Sequence, residues 1–170
     1  MKDFLYVFER PLKFFKEEKS FERAFAHFFI ATLIFIFLNE LMIYTGLITV
    51  ERSLSVLAAI LSNLLSIVSG YFIITAFSFF PLAAMGKTNY KDFFVVTAYA
   101  LTPLIFFWIP HILPQAIVII WSIMLMIIGT AQTMKISYKR AFIPVATFLT
   151  LTILGSFVIG NYLIVPLNRI

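Results

Sequence analysis

A few side chains in this sequence could do chemistry, and nearly all of them stand in apolar surroundings. Glu40 is a carboxylate within a long uncharged stretch. An acid inside a membrane segment is a functional candidate by default, but 16 residues past Ala24 this one falls about 24 Å along a helix, near a boundary where water is in reach. Together with Glu51 and His111 it could offer ligands to a divalent cation, yet the three form no ligand spacing. Asn63, Ser66 and Ser69 beside Gly70 make a small polar patch in a run of Leu, Ile and Val. In lipid such groups hydrogen-bond a neighbouring helix or line a solute path, and Asn63 is expected to face another helix. Tyr99 and Pro103 stand four apart. Pro103 has no N–H for the Tyr99 carbonyl, so it forces a kink, a hinge or a local water site, with Thr102 able to assist. His27 reads as a packing residue. Lys87, Lys91, Lys135, Lys139 and Arg140 could hold anionic lipid headgroups at about 1 kcal/mol per charge.

Catalytic sets are missing. The sequence has no Walker loop, no His-Glu-x-x-His, no Gly-x-Ser-x-Gly and no paired buried carboxylates. It has no cysteine, which removes a disulfide framework, a thiolate metal site and a cysteine nucleophile. Trp108 and Trp121 read as interfacial or core aromatics rather than as a cofactor box. The expectation is no catalytic residue, no cofactor and no metal.

The elements that carry these residues follow from composition. Of 170 residues, 62% are hydrophobic and 12% charged, and the mean hydropathy is +1.01. Soluble domains are about 45–50% apolar and about 25% charged. So small a globule cannot bury this excess, and a disordered chain needs the opposite composition. An integral membrane protein remains. The net charge of +5 is then a matter of topology, not of nucleic acid.

Residues 53–86, 93–134 and 141–168 carry no charged side chain. A spanning helix needs roughly 20 apolar residues, and Pro110 and Pro114 divide the second run at a reversal. The expectation is an all-α, five-transmembrane-helix bundle with spans at about 21–44, 54–79, 93–109, 115–134 and 141–165. Counted by side, the N-terminal segment and the second and fourth loops collect eleven Lys and Arg, the other side two. This asymmetry places the N-terminus in the cytoplasm and, with five spans, the C-terminus outside.

Residues 1–20 are too charged to span. Phe4, Phe8, Leu12 and Phe15 recur at helical spacing, with Pro11 suited to a first turn. The pattern predicts a short amphipathic helix lying on the cytoplasmic membrane face. Ser20 predicts the N-cap of the first span. In the second span Ala58, Ser62, Ser66 and Gly70 recur every four residues, and Ser156 and Gly160 repeat that spacing in the fifth. Such stripes predict close helix packing or a homo-oligomer contact.

Several short stretches, in order, resemble the Yip-one (YIP) domain family of five-span membrane proteins, in its short prokaryotic form. They are Arg10-Pro11-Leu12-Lys13-Phe14-Phe15, the turn Gly86-Lys87-Thr88-Asn89-Tyr90-Lys91-Asp92, the span motif Tyr99-Ala100-Leu101-Thr102-Pro103, and Trp121 through Gly129 followed by Lys135 to Ser137 and Arg140-Ala141. The resemblance implies a membrane protein of the cell membrane in prokaryotes, or of the ER and Golgi in eukaryotes. The eukaryotic relatives act in early secretory traffic and associate with small Rab-type GTPases and with other family members. This chain lacks their long N-terminal cytoplasmic region and their Asp-Leu-x-Gly-Pro stretch, so no GTPase-binding residue is carried over.

Two functions follow as expectations. One is a non-enzymatic scaffold that organises membrane or recruits partners on the cytoplasmic side. The other is a small oligomeric transporter or channel built on the kinked third span and the polar patch of the second. Convergence of Asn63, Tyr99, Glu40 and Asn161 on one wet cavity would favour transport. Local pairing in a dry core would favour the scaffold.

Overall fold

The structure is a computed structural model that describes residues 6–158 apart from 8, 18, 46–55, 85, 87, 88 and 110. The elements are a short helical turn α1 (Pro11–Phe14), then α2 (Phe21–Tyr44), α3 (Val56–Ala84) and α4 (Tyr90–Ala100). A 3-10 helix (Thr102–Trp108), α5 (Ile112–Thr133) and α6 (Tyr138–Val158) follow.

Local chemistry sets the helix ends. Ser20 caps α2: its Oγ accepts from the Arg23 N–H at 3.2 Å, and Glu22 lies in the first turn where the dipole favours an anion. Asn89 caps α4 through its Oδ1, which accepts from the Lys91 N–H at 3.1 Å. Gly86 turns the chain at φ +71°, a conformation only glycine adopts freely. Pro114 falls in the first turn of α5, where a missing N–H loses nothing.

The packing is centred on α4. Every residue from Phe93 to Ala100 is buried. Helices α2, α3 and α5 pack directly on α4, α6 packs on α3 and α5, and the 3-10 helix fills the gap between α2 and α5. The outer faces are apolar: Leu57, Leu61, Leu65, Ile73 and Phe80 on α3 and Ile112, Ile117 and Ile120 on α5 are all exposed. A surface of this kind belongs against lipid, not water.

Three expectations need correction. Among the described residues four helices, not five, are long and apolar enough to cross a membrane: Phe21–Tyr44, Val56–Ala84, Tyr90–Phe107 and Ile112–Thr133. The fifth expected span, 141–165, is the one lost. Helix α6 opens with Tyr138, Lys139 and Arg140 and is described as far as Val158, and residues 159–165 of the expected span lie outside the described residues. The exterior C-terminus followed from a fifth crossing and loses its basis with it.

The N-terminal segment also differs from a helix resting on the membrane. Val7, Phe14 and Phe15 are buried in the bundle, whereas Leu12 is 51% exposed; Phe4 and Phe8 lie outside the described residues. Helical backbone at Tyr6, Val7 and Glu9 is interrupted at Arg10 (φ −140°, ψ 62°) before the turn at Pro11–Phe14, so one continuous stripe is not presented and the ring pair after Pro11 sets the contact instead.

The small-residue stripe of α3 is not a helix contact. Ser62 and Ser66 are exposed, and a Cβ built on Gly70 would meet nothing within 4 Å. The close approach is at Gly129, where a Cβ would lie 2.6 Å from Val96 Cγ1 and 3.0 Å from the Phe15 ring. Overpacking of this kind costs about 1–3 kcal/mol. Gly129→Ala should therefore lower the thermal midpoint of the detergent-solubilised protein, and Gly70→Ala should not; a midpoint equally insensitive to both would contradict this packing.

Candidate functional site

The bundle has two unlike halves. At the end that carries the N-terminal segment, residues 10–15 form a clip. Pro11 starts the turn with its fixed φ. The Phe14 N–H donates to the Arg10 carbonyl at 2.9 Å and the Phe15 N–H to the Pro11 carbonyl at 3.1 Å, which directs both rings inward. Phe14 meets Tyr99 edge-on, with centroids 4.8 Å apart, and Phe15 lies against Gly129. The Phe15 carbonyl accepts from the Thr133 hydroxyl at 3.4 Å. Outside the clip, Lys19 holds its ammonium 4.3 Å from the Phe14 centroid and donates to Glu17 at 3.0 Å; the Tyr6 hydroxyl donates to the same carboxylate at 3.0 Å. The Lys19 hydrogen bond, and next that of Tyr6, hold the Glu17 carboxyl below its usual range. Arg10, Lys13, Lys16, Arg23, Lys91, Lys135, Lys139 and Arg140 are exposed around this end. Lys135 occupies the left-handed region (φ +52°) at the turn after α5, a conformation costing a non-glycine residue roughly 1–2 kcal/mol.

Inside the bundle several polar groups pair with one another, while Trp121 Nε1, Ser122 Oγ and Thr130 Oγ1 are buried without a hydrogen-bond partner among the described residues. The Tyr71 hydroxyl lies 2.6 Å from Thr97 Oγ1 and reaches the Phe94 carbonyl. Thr75 Oγ1 lies 2.9 Å from the Tyr90 hydroxyl. At the helix break, Thr102 Oγ1 donates to the Tyr99 carbonyl at 2.6 Å and lies 2.8 Å from His27 Nε2. The carbonyl that Pro103 cannot serve is thus served by the hydroxyl next to it, and the chain continues as a 3-10 helix.

Beyond that break lies a cavity of about 590 Å³. It exists because α4 stops at Ala100 and the 3-10 helix runs to one side, between α2 and α5. Six elements line it, among them Phe28 and Ala31 of α2, Tyr71 of α3, Ala98 of α4, Leu104 of the 3-10 helix, Met126 of α5 and Phe148 of α6. The wall is hydrocarbon apart from the hydroxyls of Thr32, Tyr71, Ser122 and Thr152. At about 24 cal/mol per Å³ an empty cavity of this size would forfeit on the order of 10 kcal/mol, comparable with the whole net stability of a domain.

The sequence-derived candidates do not converge. Pro11 is half-buried in the clip and Tyr99 is buried against it. Pro103 is buried at the break. Asn63 and Ser66 are exposed on the outer face of α3 and not turned toward a helix, and Gly70 is half-buried there; the patch stands where lipid-facing Leu61 and Leu65 stand. Glu40 is buried, at 7% exposure, near the far end of α2 rather than open to water. Lys91, Lys135, Lys139 and Arg140 share one end; Lys87 and Asn161 lie outside the described residues. Among the described residues no group of His, Asp and Glu could hold a metal ion. The sequence reading passed over Phe14 as a core residue, Gly129 as the close approach, and Ser122, the lone hydroxyl within the apolar run of α5.

The family model of the Yip1 domain matches residues 5–160. No curated protein and no solved structure matches the chain.

If the clip and the break hold the bundle, Phe14→Ala should cost about 3–5 kcal/mol of unfolding free energy and Thr102→Val about 1–3 kcal/mol, since it removes the buried hydroxyl that donates to the Tyr99 carbonyl. Leu12→Ala should cost little. Denaturation of the three variants in detergent, scored against the native chain, checks the order.

Proposed function

Because the chain belongs to the Yip1 domain family of non-enzymatic integral membrane proteins, we propose that it works as a membrane scaffold that recruits partners on its cytoplasmic side. The clip presents the recruiting surface. It fixes Arg10, Lys13 and Lys16 on a rigid end of the bundle, beside Lys91, Lys135, Lys139 and Arg140. The excess of Lys and Arg at this end supports its cytoplasmic placement. Fixed basic side chains of this kind suit an acidic protein surface or anionic headgroups, both of which draw on long-range attraction.

The observation that carries this reading is the dryness of the interior. The Tyr71–Thr97, Thr75–Tyr90 and His27–Thr102 contacts tie polar groups together within the bundle, and the cavity wall is hydrocarbon apart from four hydroxyls. A transporter needs a polar track, and Asn63, Glu40 and Tyr99 lie apart, none of them on that wall.

Crosslinking and pull-down from the native membrane test the proposal. The intact chain should capture acidic partners that Arg10→Glu, Lys13→Glu and Lys16→Glu combined release, with the clip rings left in place. An unchanged partner set would defeat recruitment through this face. Proteoliposomes should carry no selective flux; robust flux abolished by Asn63→Leu would defeat the scaffold reading.

A further inference from the structure

We propose that the cavity beyond the α4 break is a binding site for an uncharged single-chain lipid, whose hydroxyl or carbonyl oxygen bonds Ser122. The site is independent of the recruiting face. Its volume of about 590 Å³ falls within the roughly 300–1,000 Å³ of small-molecule sites. Two of its lining residues, Ile119 and Ile153, are exposed, the latter at 68%, so the cavity reaches the lipid-facing surface along α5 and α6. Whatever enters comes from the bilayer.

The wall selects the occupant. Water does not settle there, because a buried water needs 2–4 polar partners and the wall has few to give. The Tyr71 hydroxyl is already bonded to Thr97 and Phe94, and the Thr152 hydroxyl donates to the Phe148 carbonyl at 2.8 Å. A charged headgroup is excluded by the same apolar wall at membrane depth. Of the remaining wall hydroxyls, those of Thr32 and Ser122, the one wholly enclosed without a partner is that of Ser122. Ser122 is 4% exposed, lines the cavity, and its Oγ has no hydrogen-bond partner among the described residues. Helical serines commonly bond the carbonyl four residues back, as Ser78 and Thr152 do in this bundle; Ser122 does not. A buried hydroxyl left in this state is costly. A hydrocarbon chain ending in one neutral oxygen fills the volume and meets that hydroxyl together.

The test uses the full chain in phosphatidylcholine vesicles with two photoreactive probes: hexadecanol carrying a diazirine on its chain, and the matching hexadecane diazirine without the oxygen. Mapped adducts of the alcohol should concentrate on α5 around Ile119 to Ile123 and on α6 around Phe148 to Ile153, and monoacylglycerol should compete them away. Ser122→Ala should reduce labelling by the alcohol about three- to tenfold, the range of one hydrogen bond, and leave the hydrocarbon probe unchanged. Ala98→Phe, which fills the cavity, should abolish both; Ile123→Phe serves the same purpose if Ala98→Phe does not fold. Adducts spread evenly over the lipid-facing surface, or labelling indifferent to the filling variants, would overturn the site. Equal loss of both probes in Ser122→Ala would overturn the role of its hydroxyl.

Discussion

The bundle depends on what happens to one carbonyl. In lipid a backbone group without a partner has no water to turn to, so every interruption of a spanning helix must be repaired on the spot. Pro103 withdraws the N–H that the Tyr99 carbonyl would accept. The Thr102 hydroxyl takes its place at 2.6 Å, and His27 lies within hydrogen-bond reach of that same hydroxyl. With the carbonyl satisfied, the chain leaves its helical axis and proceeds as a 3-10 helix between α2 and α5. The central element of the bundle therefore ends part-way across.

The two halves of the molecule follow from that stop. Where α4 is present, it is surrounded on all sides, and aromatic rings close the remaining space: Phe14 on Tyr99, Phe21 on Phe94, Tyr71 on Phe28. The clip of residues 10–15 belongs to this half, which is why a charged N-terminal segment becomes part of the core rather than a float on the membrane. Where α4 is absent, no side chain is long enough to fill the centre, and an apolar cavity remains. One half is suited to rigidity and to presenting fixed charges; the other has room for a guest.

Much of this architecture was legible in the sequence, and the rest was lost for physical reasons. Uncharged runs mark the four candidate spans because lipid excludes charge along their length. Ser20 marked its cap by residue type alone, and the missing N–H of Pro103 marked a break. The fifth expected span is not among the four candidates: α6 begins with a charged turn, and residues 159–165 lie outside the described residues. The N-terminal segment differs because a period of four assumes one continuous helix, whereas Arg10 (φ −140°, ψ 62°) interrupts the helical backbone before Pro11. Asn63 illustrates a third cause: an amide in an apolar run says that it needs care, not which way it faces. Gly129 and Ser122 matter only through neighbours distant in sequence, Phe15 and Val96 for one and an empty volume for the other. No local pattern reports either.

Both halves of the bundle rest on a Tyr99 carbonyl that accepts from the Thr102 hydroxyl. Isotope-edited infrared spectroscopy of the protein in bilayers, with the carbonyl carbon of tyrosine labelled and Tyr99 assigned by difference against Tyr99→Phe, observes that bond directly. The labelled band should move to higher frequency in Thr102→Val, as a carbonyl losing its donor does. A band that stays where it was would show an unbroken helix through Pro103 or another donor, and would contradict a hydroxyl-repaired break as the origin of the two halves.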